Sequence, residues 1–213
     1  VPINAPTGIT ADGDVASMHL NWNKVPGAVN YKVYEKVDQD SLLFIEKVKS
    51  TQLTIRNLDY GADKCYQISA LDQEGEESDL SSSACNVVLD PPHFTIQKMN
   101  LFEPSGNRVI DAQETGSLQF AVFNDGQSPA HQVNISVVSK QPNQNLVIGE
   151  DVVIDTLNAG RIEFVEISLA GLLKVETGEH EFELQILSID RMTLDEPYLF
   201  KVETKSVIPP KLI

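Results

Sequence analysis

The sequence has little positive charge. Its 213 residues contain 16 lysines and arginines against 31 aspartates and glutamates, a formal net charge of −15. Nucleic acids and anionic membranes repel such a surface, so we expect neither as a partner. No apolar run approaches the ~20 residues that a membrane-spanning helix needs. Hydrophobic residues nevertheless make up 41% of the chain, which is enough to fill a core and is not typical of disorder.

Helix signals are also scarce, whereas strand signals recur along the whole chain. Apolar and polar residues alternate in short runs bounded by Gly, Pro, Asn or Asp, as in 17–22, 30–35 and 118–123. This period is typical of strands with one buried and one solvated face. A short helix-like patch at 170–175 contains a glycine, so we predict a loop or a single turn there. The sequence predicts an all-β fold class.

The segment Asp90-Pro91-Pro92 marks a domain boundary, because two prolines cannot donate to a central ladder and they stiffen a linker. Residues 1–90 and 91–213 each have a length that suits one β-sandwich. The pair Pro209-Pro210 repeats the pattern near the end of the chain. Residues 207–213 are therefore a candidate linker into a further domain, with a coincidental Pro-Pro tail as the alternative.

The first half resembles a fibronectin type III domain. Its features follow that family's order over essentially all of residues 1–90: Leu20-x-Trp22, Tyr31-x-Val33-Tyr34, Leu58-Asp59-Tyr60-Gly61, Tyr66-x-Ile68 and Gly75-Glu76-Glu77-Ser78. The resemblance implies an immunoglobulin-like β-sandwich with Trp22 and Tyr31 buried between its sheets. The family's corner tyrosine falls on Lys64 here, which is a departure from the pattern.

The two cysteines, Cys65 and Cys85, lie in this half. Strand parity places Cys65 outward, and the resemblance places Cys85 on the last strand, antiparallel beside the sixth. Two outward cysteines on neighbouring strands meet the spacing that a disulfide needs. A disulfide would indicate an oxidising compartment. The alternative is two unpaired thiols in a cytosolic protein.

The second half predicts about seven strands, at 93–102, 116–124, 131–139, 145–155, 162–169, 180–190 and 198–207. Two of the turns between them are Asn124-Asp125-Gly126, which tolerates positive φ, and Leu157-Asn158-Ala159-Gly160. An Asn-x-Gly turn before a small-residue bend and a paired strand is similar to the bacterial cell-adhesion-related β-sandwich family known as CARDB. The resemblance implies a second immunoglobulin-like β-sandwich.

The sequence contains no catalytic motif with a specific spacing, and its histidines, His19, His93, His131 and His180, are isolated along the chain. Small sandwiches of this kind are mostly binding or spacer modules, so we expect no enzyme activity and no cofactor. The strongest charge cluster is an acidic loop that contains Asp72, Glu74, Glu76, Glu77 and Asp79. It is a candidate site for a divalent cation or a basic partner, with a solvated loop as the alternative, since it lacks the Asp-x-Asp-x-Asp-Gly spacing.

These observations predict a non-catalytic spacer, adhesion or protein-interaction segment. The parent would be a larger secreted, cell-surface or periplasmic protein, bacterial by the resemblance of the second half. We expect a monomer whose partners are neighbouring domains of its parent chain and a protein or glycan ligand. The alternative is a carbohydrate-binding accessory module of a secreted hydrolase, which needs a row of exposed aromatics. Tyr34, Tyr60 and Tyr198 are the candidates for that row. A second negative patch is expected over 163–196, which holds nine acidic residues but only Lys174 and Arg191 as bases.

Overall fold

A computed structural model describes residues 2–38, 41–141 and 145–207. Those residues form sixteen strands and no helix, which confirms the all-β prediction. The chain divides into two compact units, Val1–Asp90 and Pro91–Ile213. The division falls at the Asp90-Pro91-Pro92 segment. Residues 208–213, and with them most of the predicted linker to a further domain, lie outside the described residues.

The first unit is a sandwich of two antiparallel sheets, one of three strands in the order β1-β2-β5 and one of four in the order β4-β3-β6-β7. The strands are β1 (Thr10–Asp14), β2 (Ser17–Asn21), β3 (Asn30–Lys36), β4 (Leu42–Val48), β5 (Gln52–Arg56), β6 (Asp63–Leu71) and β7 (Ala84–Val87).

The core of the first unit lies between these sheets, and most of its buried side chains come from alternate residues of β2, β3 and β6. Trp22 is 5% exposed and Tyr31 is 2% exposed. Their rings meet edge to face with centroids 5.5 Å apart, an arrangement that aromatic pairs prefer. The Tyr31 hydroxyl accepts a hydrogen bond from the Val25 amide at 2.9 Å, so its polar end is satisfied inside the core.

The second unit also has two sheets, in the orders β12-β14-β10-β8 and β13-β11-β15-β16-β9. All described pairings are antiparallel except that of β16 with β9, which is parallel. The strands are β8 (Phe94–Phe102), β9 (Ile110–Asp111), β10 (Thr115–Asn124), β11 (Ala130–Ser139), β12 (Leu146–Ile148), β13 (Val152–Leu157), β14 (Arg161–Gly171), β15 (Gly178–Leu187) and β16 (Tyr198–Lys205).

The strand predicted at 145–155 is in fact two strands in different sheets. β12 pairs with β14, and β13 pairs with β11. The chain changes sheet at Gly149, whose amide donates to the Ser168 carbonyl at 2.8 Å. A Cβ atom on Gly149 would lie 2.4 Å from the Ser168 hydroxyl oxygen, so the close approach favours a residue without a side chain.

Three other local details complete the fold. The first strand begins at Thr10, since Gly8 has a φ of 63° and cannot continue an extended strand. β14 runs through Gly171, so the first part of the 170–175 patch is strand, and a turn follows in which Val175 donates to Leu172. The two-residue strand β9 was not predicted, because two residues are too few to show a period.

Candidate interaction surface

The acidic loop follows β6 and folds back on it. Ser78 donates its amide to the Ala70 carbonyl, and Gly75, with a φ of 87°, donates to the Asp72 carbonyl. The Asp72 carboxylate accepts the Glu76 amide at 2.8 Å. These bonds fix the loop backbone against the four-stranded sheet.

Glu77 is the one carboxylate of this loop that is anchored to the sheet by several side chains. It accepts hydrogen bonds from the Lys32 ammonium at 2.5 Å, the Tyr34 hydroxyl at 2.8 Å and the buried Ser69 hydroxyl at 2.5 Å. Burial by itself would raise the pKa of Glu77, but the three hydrogen bonds outweigh it and lower that pKa. The Glu77 carboxylate in turn raises the pKa of Lys32. Glu77 therefore holds the loop in place rather than serving as a free ligand.

The other four carboxylates, Asp72, Glu74, Glu76 and Asp79, line a depression together with Pro2 and Ile3. Within the described ranges, no three His, Cys, Asp or Glu side chains converge closely enough to hold a metal ion. The structure thus gives the cation interpretation of this loop no geometric support. The basic-partner interpretation remains a prediction.

The cysteines face each other across β6 and β7. Cys65 and Cys85 are directly opposite in the antiparallel register and form a disulfide. The bridge ties the last strand of the first unit to its neighbour, as predicted for two outward side chains at this position.

Lys64, at the position of the family's corner tyrosine, forms an ion pair with Glu35 at 2.6 Å. The adjacent Tyr66 is fully buried, and its hydroxyl has no hydrogen-bond partner within the described part of the chain. Burial, with a contribution from the Glu35 charge, raises the pKa of Tyr66 to about 12. The residue at the corner position of the family pattern thus forms an ion pair with β3.

The most apolar exposed surface of the first unit is the β3–β4 hairpin. Val37, Leu42, Leu43 and Phe44 are between 39% and 61% exposed. β4 is an edge strand, and β3 is its only strand partner among the described residues. The Phe44 ring rests on Tyr34 edge to face, with centroids 5.9 Å apart. An unpaired, apolar edge strand is a natural docking site for another extended chain.

The three tyrosines considered for a sugar platform are not equivalent. Tyr34 is half-buried and donates to Glu77. Tyr198 packs against the core of the second unit, and only Tyr60, at 54%, is largely exposed. The described residues therefore do not show these three side chains as a row, and no specific observation favours the carbohydrate interpretation.

The negative patch expected over 163–196 is partly neutralised. Glu183 pairs with Lys140 at 2.6 Å, and Glu179 pairs with Lys201 at 2.7 Å. Lys140 directly follows β11 and Lys201 lies on β16. Both are outside 163–196, so a count of the charges within that range does not include them. The remaining open carboxylates are fewer than the sequence suggested.

The histidines occupy separate places. His19 contacts Thr54 at 2.9 Å and His180 contacts Thr204 at 2.8 Å. His131 lies on β11 and contacts Thr156 across the sheet at 3.1 Å. His93 lies between Asp125 and Asp195, and the hydrogen bonds that its ring nitrogens donate to these carboxylates raise its pKa.

No protein-family profile matches the chain, and no curated protein matches it. Among solved structures it is similar to an Fn3-like protein from Clostridium thermocellum, with 26% identity and a TM-score of 0.37 over 43% of this chain and 96% of that chain. It is also similar to the fibronectin type III domain of human fibronectin type III domain containing protein 3, with 14% identity and a TM-score of 0.38 over 43% and 90% of the two chains. For the FN5 domain of Drosophila Lar the identity is 20% and the TM-score 0.34, over 41% and 97%.

These structural neighbours are fibronectin type III domains, and each corresponds to about two fifths of this chain. The CARDB resemblance of residues 91–213 stays a prediction. No helix among the described residues is long and apolar enough to cross a membrane.

Proposed function

We propose that the chain is a non-catalytic spacer and protein-interaction segment of a larger secreted or cell-surface protein, bacterial as the resemblance of its second half implies. The observation that carries this proposal is the β3–β4 hairpin. Its edge strand β4 offers unpaired backbone groups, and Leu43 and Phe44 are both more than half exposed beside them. Single exposed apolar residues are normal on a protein surface, whereas a contiguous exposed apolar patch often marks an interaction site.

The disulfide supports the proposed location outside the cytosol. Disulfides persist in oxidising environments and are rare in the cytosol. Cys65 and Cys85 are the only cysteines of the chain, and they pair with each other. A structural bridge in a small sandwich suits a protein that works outside the reducing cytosol.

The proposal is tested by adhesion of coated beads. Beads carrying the full chain are placed on collagen, laminin or mucin surfaces, and the retained fraction is counted after a wash. We expect retention on at least one surface, and we expect Phe44→Lys to lose most of it, because a buried charge at the docked edge is costly. Phe44 is 52% exposed, so the substitution should change the free energy of unfolding by only about 0.5 kcal/mol.

Gln52→Lys is the matched control. It adds the same charge to an exposed position of β5, an edge strand of the other sheet. It should keep the retention of the wild type. Equal retention of wild type and Phe44→Lys, or no retention of the wild type on any of the three surfaces, would contradict the adhesion role of the β4 edge.

A further inference from the structure

The loop between β8 and β10 carries oxygen-bearing side chains at a regular spacing. Over the twelve residues 103–114 they occupy positions 1, 3, 5, 9, 11 and 12, as Glu103, Ser105, Asn107, Asp111, Gln113 and Glu114. In the calcium loop of EF-hand proteins, oxygen ligands come from positions 1, 3, 5, 7, 9 and 12, with a backbone carbonyl at position 7 and a bidentate glutamate at position 12. Val109 stands at position 7 here. All six positions of this loop can therefore supply an oxygen ligand.

The backbone of the loop has the matching turn. Position 6 of a calcium loop is normally glycine, because the chain turns sharply there. The residue at that position is Arg108, and it has a φ of 63° in the left-handed region. Its amide donates to Glu103 Oε1 at 2.6 Å, and the Gly106 amide donates to Glu103 Oε2 at 2.7 Å. The loop is thus already wound around the carboxylate at position 1.

An independent observation comes from Asp111. Its Oδ1 atom is shielded from solvent and has no hydrogen-bond partner among the described residues. Its Oδ2 atom accepts the Asn107 side-chain amide at 3.2 Å, so the carboxylate is turned towards the loop. A buried carboxylate oxygen without a donor costs free energy and requires an explanation. A cation bound within the loop would satisfy it.

We propose that residues 103–114 bind one calcium ion, through Glu103, Ser105, Asn107, the Val109 carbonyl, Asp111 and Glu114. In the structure the carboxylates of Glu103, Asp111 and Glu114 do not converge on one point. Glu114, for example, accepts the Ser105 and Asp111 amides at 3.2 and 2.9 Å. Glu103 also accepts the Ser105 hydroxyl at 2.6 Å, and Asn107 Oδ1 accepts the Val109 amide at 2.7 Å. Calcium tolerates six to eight oxygens in flexible geometry, so binding requires these side chains to turn from the loop's own donors towards the cation.

The chemistry favours calcium over magnesium and predicts weak binding. Magnesium demands near-ideal octahedral geometry at ~2.0–2.1 Å, which a long, irregular ligand set does not supply. The loop has serine and asparagine at positions 3 and 5, so it contributes only three negative charges. We expect a Kd on the order of 10⁻⁴–10⁻³ M, the range of extracellular calcium modules.

Titration calorimetry of the full chain with calcium chloride tests the proposal. We expect one site per chain with this Kd, and at least tenfold weaker binding of magnesium chloride. Asp111→Asn should weaken calcium binding at least tenfold. Without calcium, this variant should melt no lower than the wild type, because it removes the charge of a carboxylate whose buried Oδ1 atom lacks a donor among the described residues. Asp72→Asn in the acidic loop is the matched control and should bind calcium as the wild type does.

A second variant keeps the proposal testable if Asp111→Asn does not fold. Ser105→Ala removes one ligand from an exposed position and should weaken calcium binding severalfold while leaving the melting temperature without calcium unchanged. The proposal is overturned if the wild type shows no binding at 10 mM calcium. It is equally overturned if Ser105→Ala and folded Asp111→Asn bind as tightly as the wild type, or if Asp72→Asn abolishes binding.

Discussion

Asn124 shows how one buried amide can organise a turn. It is fully buried at the end of β10. Its Oδ1 atom accepts the His93 and Gly126 amides at 3.2 and 3.1 Å. Its Nδ2 atom donates to the carbonyls of Ser128 and Leu157, both at 2.9 Å. All hydrogen-bonding positions of the side chain are therefore used. Three of the four partners, His93, Gly126 and Ser128, lie outside the strands, and Leu157 ends β13.

We expect Asn124→Ala to destabilise the second unit by roughly 2–4 kcal/mol, because it leaves buried backbone groups unpaired. The measurement is urea unfolding followed by far-ultraviolet circular dichroism. Asn100→Ala is the control, since the Asn100 side chain is exposed and bonds, within the described part of the chain, to the Lys98 carbonyl alone. A loss below about 0.5 kcal/mol for Asn124→Ala would show that these bonds do not hold the turn.

At the scale of elements, the turn after β10 is packed against the start of β8. A Cβ atom on Gly126 would lie 2.3 Å from the Pro91 carbonyl oxygen and 2.7 Å from the His93 amide nitrogen. Both are backbone atoms and cannot rotate away. Gly126→Ala should therefore cost about 1–3 kcal/mol through overpacking, measured by the same unfolding experiment. Gly178→Ala, where a Cβ would meet open space, should be nearly neutral; similar losses for the two variants would disprove the steric argument.

The elements also show what the sequence could and could not predict. Alternation predicted β10 and β11 within a residue or two, because each buries every second side chain along ten residues. The pairing of Cys65 with Cys85 followed from parity together with the family resemblance. The sheet change at Gly149 could not be predicted, because it depends on a contact with Ser168, distant in sequence. The proposed calcium loop is not evident from a high local density of carboxylates, because its ligands include serine and asparagine.

At the scale of the whole molecule, each unit has its own core, and the disulfide and the single tryptophan, Trp22, both belong to the first. The bridge closes a loop with a sequence separation of 20, which is worth about 3 kcal/mol of chain entropy. Reduction, or replacement of both cysteines by alanine, should therefore destabilise the first unit by about that amount. Trp22 fluorescence reports its unfolding, because the buried ring becomes solvated.

Asn124→Ala tests the second unit in the same way. It should leave the midpoint of the Trp22 fluorescence transition unchanged and lower the midpoint of the circular dichroism transition of the second unit. Removal of the disulfide should do the opposite. If both changes shift the Trp22 transition equally, the two units unfold as one cooperative body, and their stabilities cannot be treated separately. If instead the two effects separate, the chain behaves as two modules in series, which is the property that a spacer in a longer surface protein requires.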